Sequence, residues 1–182
     1  MKRTVLFALM ISLLLCGCGT AAGDEETLRS WCDRLGQSEV RFAAEVMTQT
    51  EATAFSYSAQ CRYAAGETAV TLTAPANIAG VRFRTDGEES ALSYDGAELM
   101  LGDPDSDLTP AMAVPVMMEA LTEGYLLRTW REEEYLTAEF QTDEEQTVTL
   151  WLAEGRPVCV QIAVDGYTAA ELLIDQWQQK EA

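Results

Sequence analysis

The stretch Ala54-Phe-Ser-Tyr-Ser-Ala-Gln-Cys-Arg-Tyr63 alternates without a break. Phe55, Tyr57, Ala59, Cys61 and Tyr63 fall on one side, and Ser56, Ser58, Gln60 and Arg62 on the other. Successive side chains of a strand point to opposite faces, so this is a strand with one buried and one wet face. Parallel sheets are covered on both faces, so a one-sided strand argues for an antiparallel sheet.

The pattern continues in both directions. Upstream, Glu39–Met47 sets Val40, Phe42, Ala44 and Val46 against Glu39, Arg41 and Glu45. Downstream, Ala65-Gly66-Glu67 turns the chain, and Thr68–Ala74 returns with Val70 and Leu72 on one face. Pro75-Ala76-Asn77 breaks that strand, and Gly80–Thr85 follows with Val81 and Phe83 inward. Ala91–Tyr94 and Glu98–Leu101 flank Asp95-Gly96, a tight-hairpin signal. Tyr125–Arg131, Tyr135–Gln141, Thr147–Leu152 and Pro157–Val164 read as further strands, with Leu136, Ala138 and Phe140 sharing a face. Ala169–Trp177 fits a strand or a helix equally well. About ten strands joined by turns, with no βαβ rhythm, predict one antiparallel sheet. A sheet this wide curls.

Two segments have helical spacing. In Thr27–Leu35, the residues Leu28, Trp31, Cys32 and Leu35 make one apolar stripe, and Gly36 stops it. Thr109–Gly124 opens with a capping Thr109 and with Pro110 at the first helical position. It is apolar on most sides, through Met112, Val114, Val116, Met117, Met118 and Leu121, and Pro115 is expected to kink it. One apolar helix is then available for one apolar sheet face. The predicted fold is mainly β, an incomplete antiparallel β-barrel with helical lids.

Composition narrows the function. The 182 residues include 30 acidic and 12 basic ones, a formal charge of −18. Such a surface repels phosphate backbones, so no nucleic-acid partner is expected. Histidine is absent, which removes the His-based nucleophile systems and the commonest zinc sites. Asp103-Pro-Asp105-Ser-Asp107 lacks the glycine and distant glutamate of a calcium loop, and with Asp143-Glu144-Glu145 it reads as solvated loop. No enzyme activity, metal or cofactor is expected, and the domain is read as a monomer.

The N-terminus is a separate unit. Lys2 and Arg3 precede the apolar run Val5–Leu15, which is too short to span a bilayer as a mature helix. It ends in Leu15-Cys16-Gly17-Cys18, which resembles the bacterial lipobox. That resemblance implies cleavage before Cys18, lipidation of Cys18, and a protein on the extracytoplasmic face of the cell membrane. Residues 1–17 are then a signal peptide, residues 18–26 a tether and residues 27–182 the domain. Losing Lys2 and Arg3 takes the charge from −18 to −20. Thr20–Glu26 is small, polar and acidic, as a tether would be.

A family resemblance follows from the order of several segments. They are Val40-Arg41-Phe42-Ala43-Ala44, then Ala74-Pro75-Ala76-Asn77-Ile78-Ala79-Gly80, then Leu92-Ser93-Tyr94-Asp95-Gly96. Leu108-Thr109-Pro110 then opens the apolar helix, and Leu150-Trp151-Leu152 faces Arg156-Pro157-Val158. Together these resemble the LolA-type lipoprotein-carrier superfamily, over about Glu26 to Trp177. The periplasmic carriers of that family are not lipidated, so the lipobox points to its anchored members. The resemblance implies a concave apolar face that holds acyl chains. The partner is then a lipid or acylated ligand. The expected lining is Val40, Phe42, Val46, Phe55, Tyr57, Phe83 and Phe140 from the sheet, with Met112, Met117 and Leu121 from the lid. The alternative is an envelope interaction or sensor protein whose half-barrel is filled by its own lid.

With Cys18 acylated, Cys32, Cys61 and Cys159 remain in an oxidising compartment. Cys32 lies on the helical stripe and Cys61 on the apolar strand face, so a Cys32–Cys61 bridge is expected. Cys61–Cys159 pairing and three reduced thiols are the other possibilities.

Overall fold

The structure, a computed structural model, describes residues 20–49, 53–102, 110–142 and 146–181. Helix α1 (Thr20–Gly36) leads into β1 (Ser38–Gln49), β2 (Ala54–Ala64), β3 (Glu67–Ala74), β4 (Arg82–Thr85), β5 (Ser90–Tyr94) and β6 (Ala97–Gly102). A 3-10 turn (Pro110–Met112) and helix α2 (Ala113–Thr122) follow. The chain ends with β7 (Tyr125–Glu132), β8 (Tyr135–Gln141), β9 (Gln146–Ala153), β10 (Arg156–Val164) and β11 (Tyr167–Glu181). The sheet order is β6-β5-β4-β3-β2-β1-β11-β10-β9-β8-β7, antiparallel throughout. The two ends of the chain therefore pair at the centre of the sheet. The open edges, β6 and β7, are joined through α2.

This is the expected mainly β, unclosed barrel. Four connections are two-residue hairpins with both φ values positive: Ala65-Gly66, Asp95-Gly96, Glu154-Gly155 and Asp165-Gly166. That geometry matches the right-handed twist of the flanking strands. Register shifts occur in six of the ten strand pairs, and such bulges bend strands. Curvature is thus distributed along the sheet.

Both helices pack on one face. α1 touches α2, β1 and β7, while α2 lies against β3, β8 and β10. Leu28, Trp31 and Leu35 are buried as their stripe predicted. Trp177 of β11 stacks on Phe42 at 5.1 Å and lies 6.2 Å from Trp31, so aromatic rings join α1 to the centre of the sheet. Arg131 of β7 donates two hydrogen bonds to Asp24, at 2.6 and 2.8 Å, and ties down the start of α1.

Several expectations are corrected. α1 begins at Thr20 rather than Thr27, so residues 20–26, read as tether, form its first turns. Ala169–Trp177 is strand, part of β11. Pro115 is the third residue of α2, where its missing N–H has no helical acceptor to lose. The helix therefore has no need to kink there. Met112, without a side-chain cap bond, takes the N-cap position. Thr109 lies outside the described residues. So do Cys18, the signal segment and the acidic runs 103–107 and 143–145.

Cys32, Cys61 and Cys159 are free thiols, and the expected Cys32–Cys61 bridge is not formed. Phe42, the cross-strand neighbour of Cys61, is instead stacked on Trp177 beneath α1. Rings, not sulfur, fill the layer between helix and sheet.

Candidate ligand-binding site

Of the ten residues expected to line a cavity, eight belong to one buried cluster: Val40, Phe42, Val46, Tyr57, Phe83, Met117, Leu121 and Phe140. The structure does bring them together, from both halves of the sheet and from α2. It uses them as packed core. Met112 is partly buried against the same cluster, and Phe55 is 41% exposed at one end of β2. Eight of the ten residues of α2 are buried, from Ala113 to Leu121 with Glu119 outside. An apolar helix buried on nearly every side fills the middle of the half-barrel.

The start of that lid is fixed by one long-range polar contact. The Tyr57 hydroxyl donates to the Pro110 carbonyl at 2.6 Å. Burial raises the pKa of Tyr57, so the phenol stays protonated and remains a donor. The other end is fixed by Gly124, whose N–H reaches the carbonyls of Glu119 and Ala120. A Cβ on Gly124 would run into the Ala120 backbone, so only glycine makes this turn into β7.

Cover thins from β4 to β6: Phe83 of β4 is buried, Leu92 of β5 is half-buried, and every residue of β6 is exposed. Register defines which side chains of this wing face the helices. Phe42 pairs with Cys61, Cys61 with Val70, Val70 with Phe83, Phe83 with Leu92 and Leu92 with Leu99. Directly opposed residues share a face, so Leu92, Leu99 and Tyr94 continue the core face outward. There the cover stops. Tyr94 is 51%, Leu99 60% and Leu101 49% exposed. The charged residues of the three strands, Arg82, Arg84 and Glu98, take the opposite phase. Arg84 and Glu98 pair at 3.3 Å on that outer side. The helix-side surface of the wing is therefore apolar and uncharged.

The rim is ordered by small devices. Gly80 takes φ +91, a conformation that favours glycine, at the entry to β4. Asp86 accepts hydrogen bonds from the N–H groups of Glu89 (2.9 Å) and Glu88 (3.1 Å), which hold its carboxyl below the usual carboxylate range. Among the described residues, no three His, Cys, Asp or Glu side chains are grouped to hold a metal ion.

Sequence reasoning placed the Ala91–Leu101 hairpin but assigned it no role. Its alternation resembled that of every other strand. Only the position of the helices distinguishes a covered leucine from an uncovered one.

No family model matches the chain, and no curated protein is similar to it. Several solved structures are similar to it. A conserved uncharacterised protein from Thermus thermophilus is 11% identical, with 87% of this chain and 88% of that chain aligned at a TM-score of 0.50. A LolA superfamily protein from Nitrosomonas europaea is 14% identical over 90% of this chain and 94% of its own, at a TM-score of 0.48. The lipoprotein LppX of Mycobacterium tuberculosis is 16% identical over 84% and 95%, at 0.39. The Thermus likeness is one of fold.

Proposed function

We propose that this is a lipid-anchored, extracytoplasmic protein that binds an acyl chain, of a lipid or an acylated protein, on the wing formed by β4–β6. One observation carries the reading: the core face of the sheet runs out onto β5 and β6, where Tyr94 and Leu99 are exposed. Contiguous apolar surface on a highly charged protein marks an interaction site. Tyr94 and Leu99 are already half exposed, so changing them leaves the core intact. Covering the rest of one such side chain contributes about 1 kcal/mol.

The test is a fluorescence titration with a dansylated C11 fatty acid. Saturable enhancement is expected for the wild type, and roughly tenfold weaker binding for Tyr94→Ser/Leu99→Asp, the effect of about 1.4 kcal/mol. The thermal melt of that variant should be unchanged. Equal affinity in the variant, or no saturable signal with wild type, rejects the site.

A second reading has its own support. The packing of eight expected lining residues into the core favours an envelope interaction protein with a filled half-barrel. The same titration separates the two.

Anchoring rests on the lipobox-like Leu15-Cys16-Gly17-Cys18. Stable anchoring by acyl chains takes more than one chain. Cys18→Ser should move the protein from the membrane to the soluble fraction and abolish labelling by an alkyne palmitate analogue; retention of both would remove the proposal.

A further inference from the structure

The edge of β6 is distinct from its apolar face. β6 ends the sheet, and its only strand partner among the described residues is β5. The hairpin fixes which backbone groups are free. Tyr94 and Ala97 flank the two-residue Asp95-Gly96 turn, so they form a hydrogen-bonded pair, and so do Leu92 and Leu99. Glu98 and Met100 are the alternate residues. Their N–H and C=O groups point away from β5 toward the open edge.

Exposed edges are normally guarded by charged side chains, lysine above all, by proline, by bulges or by a covering element. β6 contains neither lysine nor proline, its one charge, Glu98, is paired with Arg84, and all six of its residues are exposed. A bulge opposite Ser90 and Ala91 blunts only its far end, leaving Ala97–Met100 regular. The opposite edge, β7, is managed differently. It carries Arg128 and Arg131, each in an ion pair, and Arg131 holds the start of α1 beside it.

We infer that β6 accepts an extended segment of a basic partner protein as an added strand. Charge selects this occupant. Asp86, Glu88 and Glu89 in the β4–β5 turn and Asp95 in the β5–β6 turn lie at the two ends of β6, while Glu98 between them is paired with Arg84. A second copy of this chain would bring another −18 to the contact. A lysine- or arginine-bearing strand gains ladder hydrogen bonds at Glu98 and Met100 and meets complementary charge at both ends.

The experiment selects a random dodecapeptide phage library on the wild-type protein and on Met100→Pro. Proline at this position removes an outward donor without touching the β5–β6 bonds. Enriched peptides should carry Lys or Arg alternating with β-branched residues. A synthetic copy should bind at least tenfold more weakly to Met100→Pro, and weaken as salt rises. Tyr94→Ser/Leu99→Asp retains both edge residues and should still bind it, which separates this proposal from the acyl site. Acidic or patternless selections, no enrichment, or equal binding to Met100→Pro would overturn it. So would sedimentation showing that the wild type, but not Met100→Pro, pairs with itself.

Discussion

Thr137 lies on β8 between Trp130 of β7 and Trp151 of β9, on the face away from the helices. It is fully buried, and its hydroxyl has no hydrogen-bond partner. An unpaired buried hydroxyl costs free energy that an isosteric methyl does not. Thr137→Val should therefore stabilise the fold by about 1 kcal/mol, seen as a higher urea midpoint with the slope unchanged. A lower midpoint would mean that the hydroxyl is satisfied. Residue by residue, the alternation in 54–63 was legible because each strand neighbour obeys the same two-residue period. Trp177 was not legible. Gln176, at φ +55, inserts a bulge opposite Phe42, so the inward series Ala170, Leu172, Ile174 jumps by three to Trp177. That spacing belongs to neither a clean strand nor a clean helix.

At the scale of the element, α2 follows from its composition but not from its place. A segment apolar on most sides must be buried, and it is. Nothing in its periodicity says which strands it covers. Its position depends on a contact between residues far apart in sequence, Tyr57 and Pro110. Tyr57→Phe removes that hydrogen bond and leaves the ring. The loss should be about 1 kcal/mol of stability, with faster amide exchange concentrated in 110–118. Uniform exchange across the sheet would show that Tyr57 does not anchor the lid. The β5–β6 hairpin shows the converse. Asp95-Gly96 set its turn and register in advance, while its exposure was fixed by where the helices lie.

For the whole molecule, the three thiols make a pH prediction. Burial raises the pKa of Cys32 and of Cys61 from 9.0 to about 12, and that of Cys159 to about 11. Above pH 9 the unfolded chain releases these protons before the folded one does. The stabilising contribution is complete below pH 9 and is lost as pH rises toward 11–12. The loss is about 1.4 kcal/mol per thiol per pH unit at most, and less for the only partly buried Cys159. Thermal melts should fall steeply above pH 9, and Cys→Ser variants should flatten the slope. A slope that is the same without the thiols would contradict the burial. On the acid side, Arg62 and Arg41 hold Glu39 below its usual range, as backbone N–H groups do Asp86. Their contributions are present above the ordinary carboxylate pKa and are lost as pH falls through the lowered values.

The sequence by itself determined the sheet, its turns, its antiparallel sense and the apolar helix. These depend on local periodicity and turn chemistry, which operate over a few residues. It also put eight of the ten expected inward side chains into the core, though not Phe55, which is exposed at one end of β2. Whether those side chains line a space or fill one was decided by tertiary structure, through the volume of α2 and the rings of Phe42 and Trp177. The same packing left the thiols unbridged and Tyr94 and Leu99 exposed on the outer strands of the sheet. Cover over a sheet depends on the length and placement of elements distant in sequence, and no two-residue period carries that information.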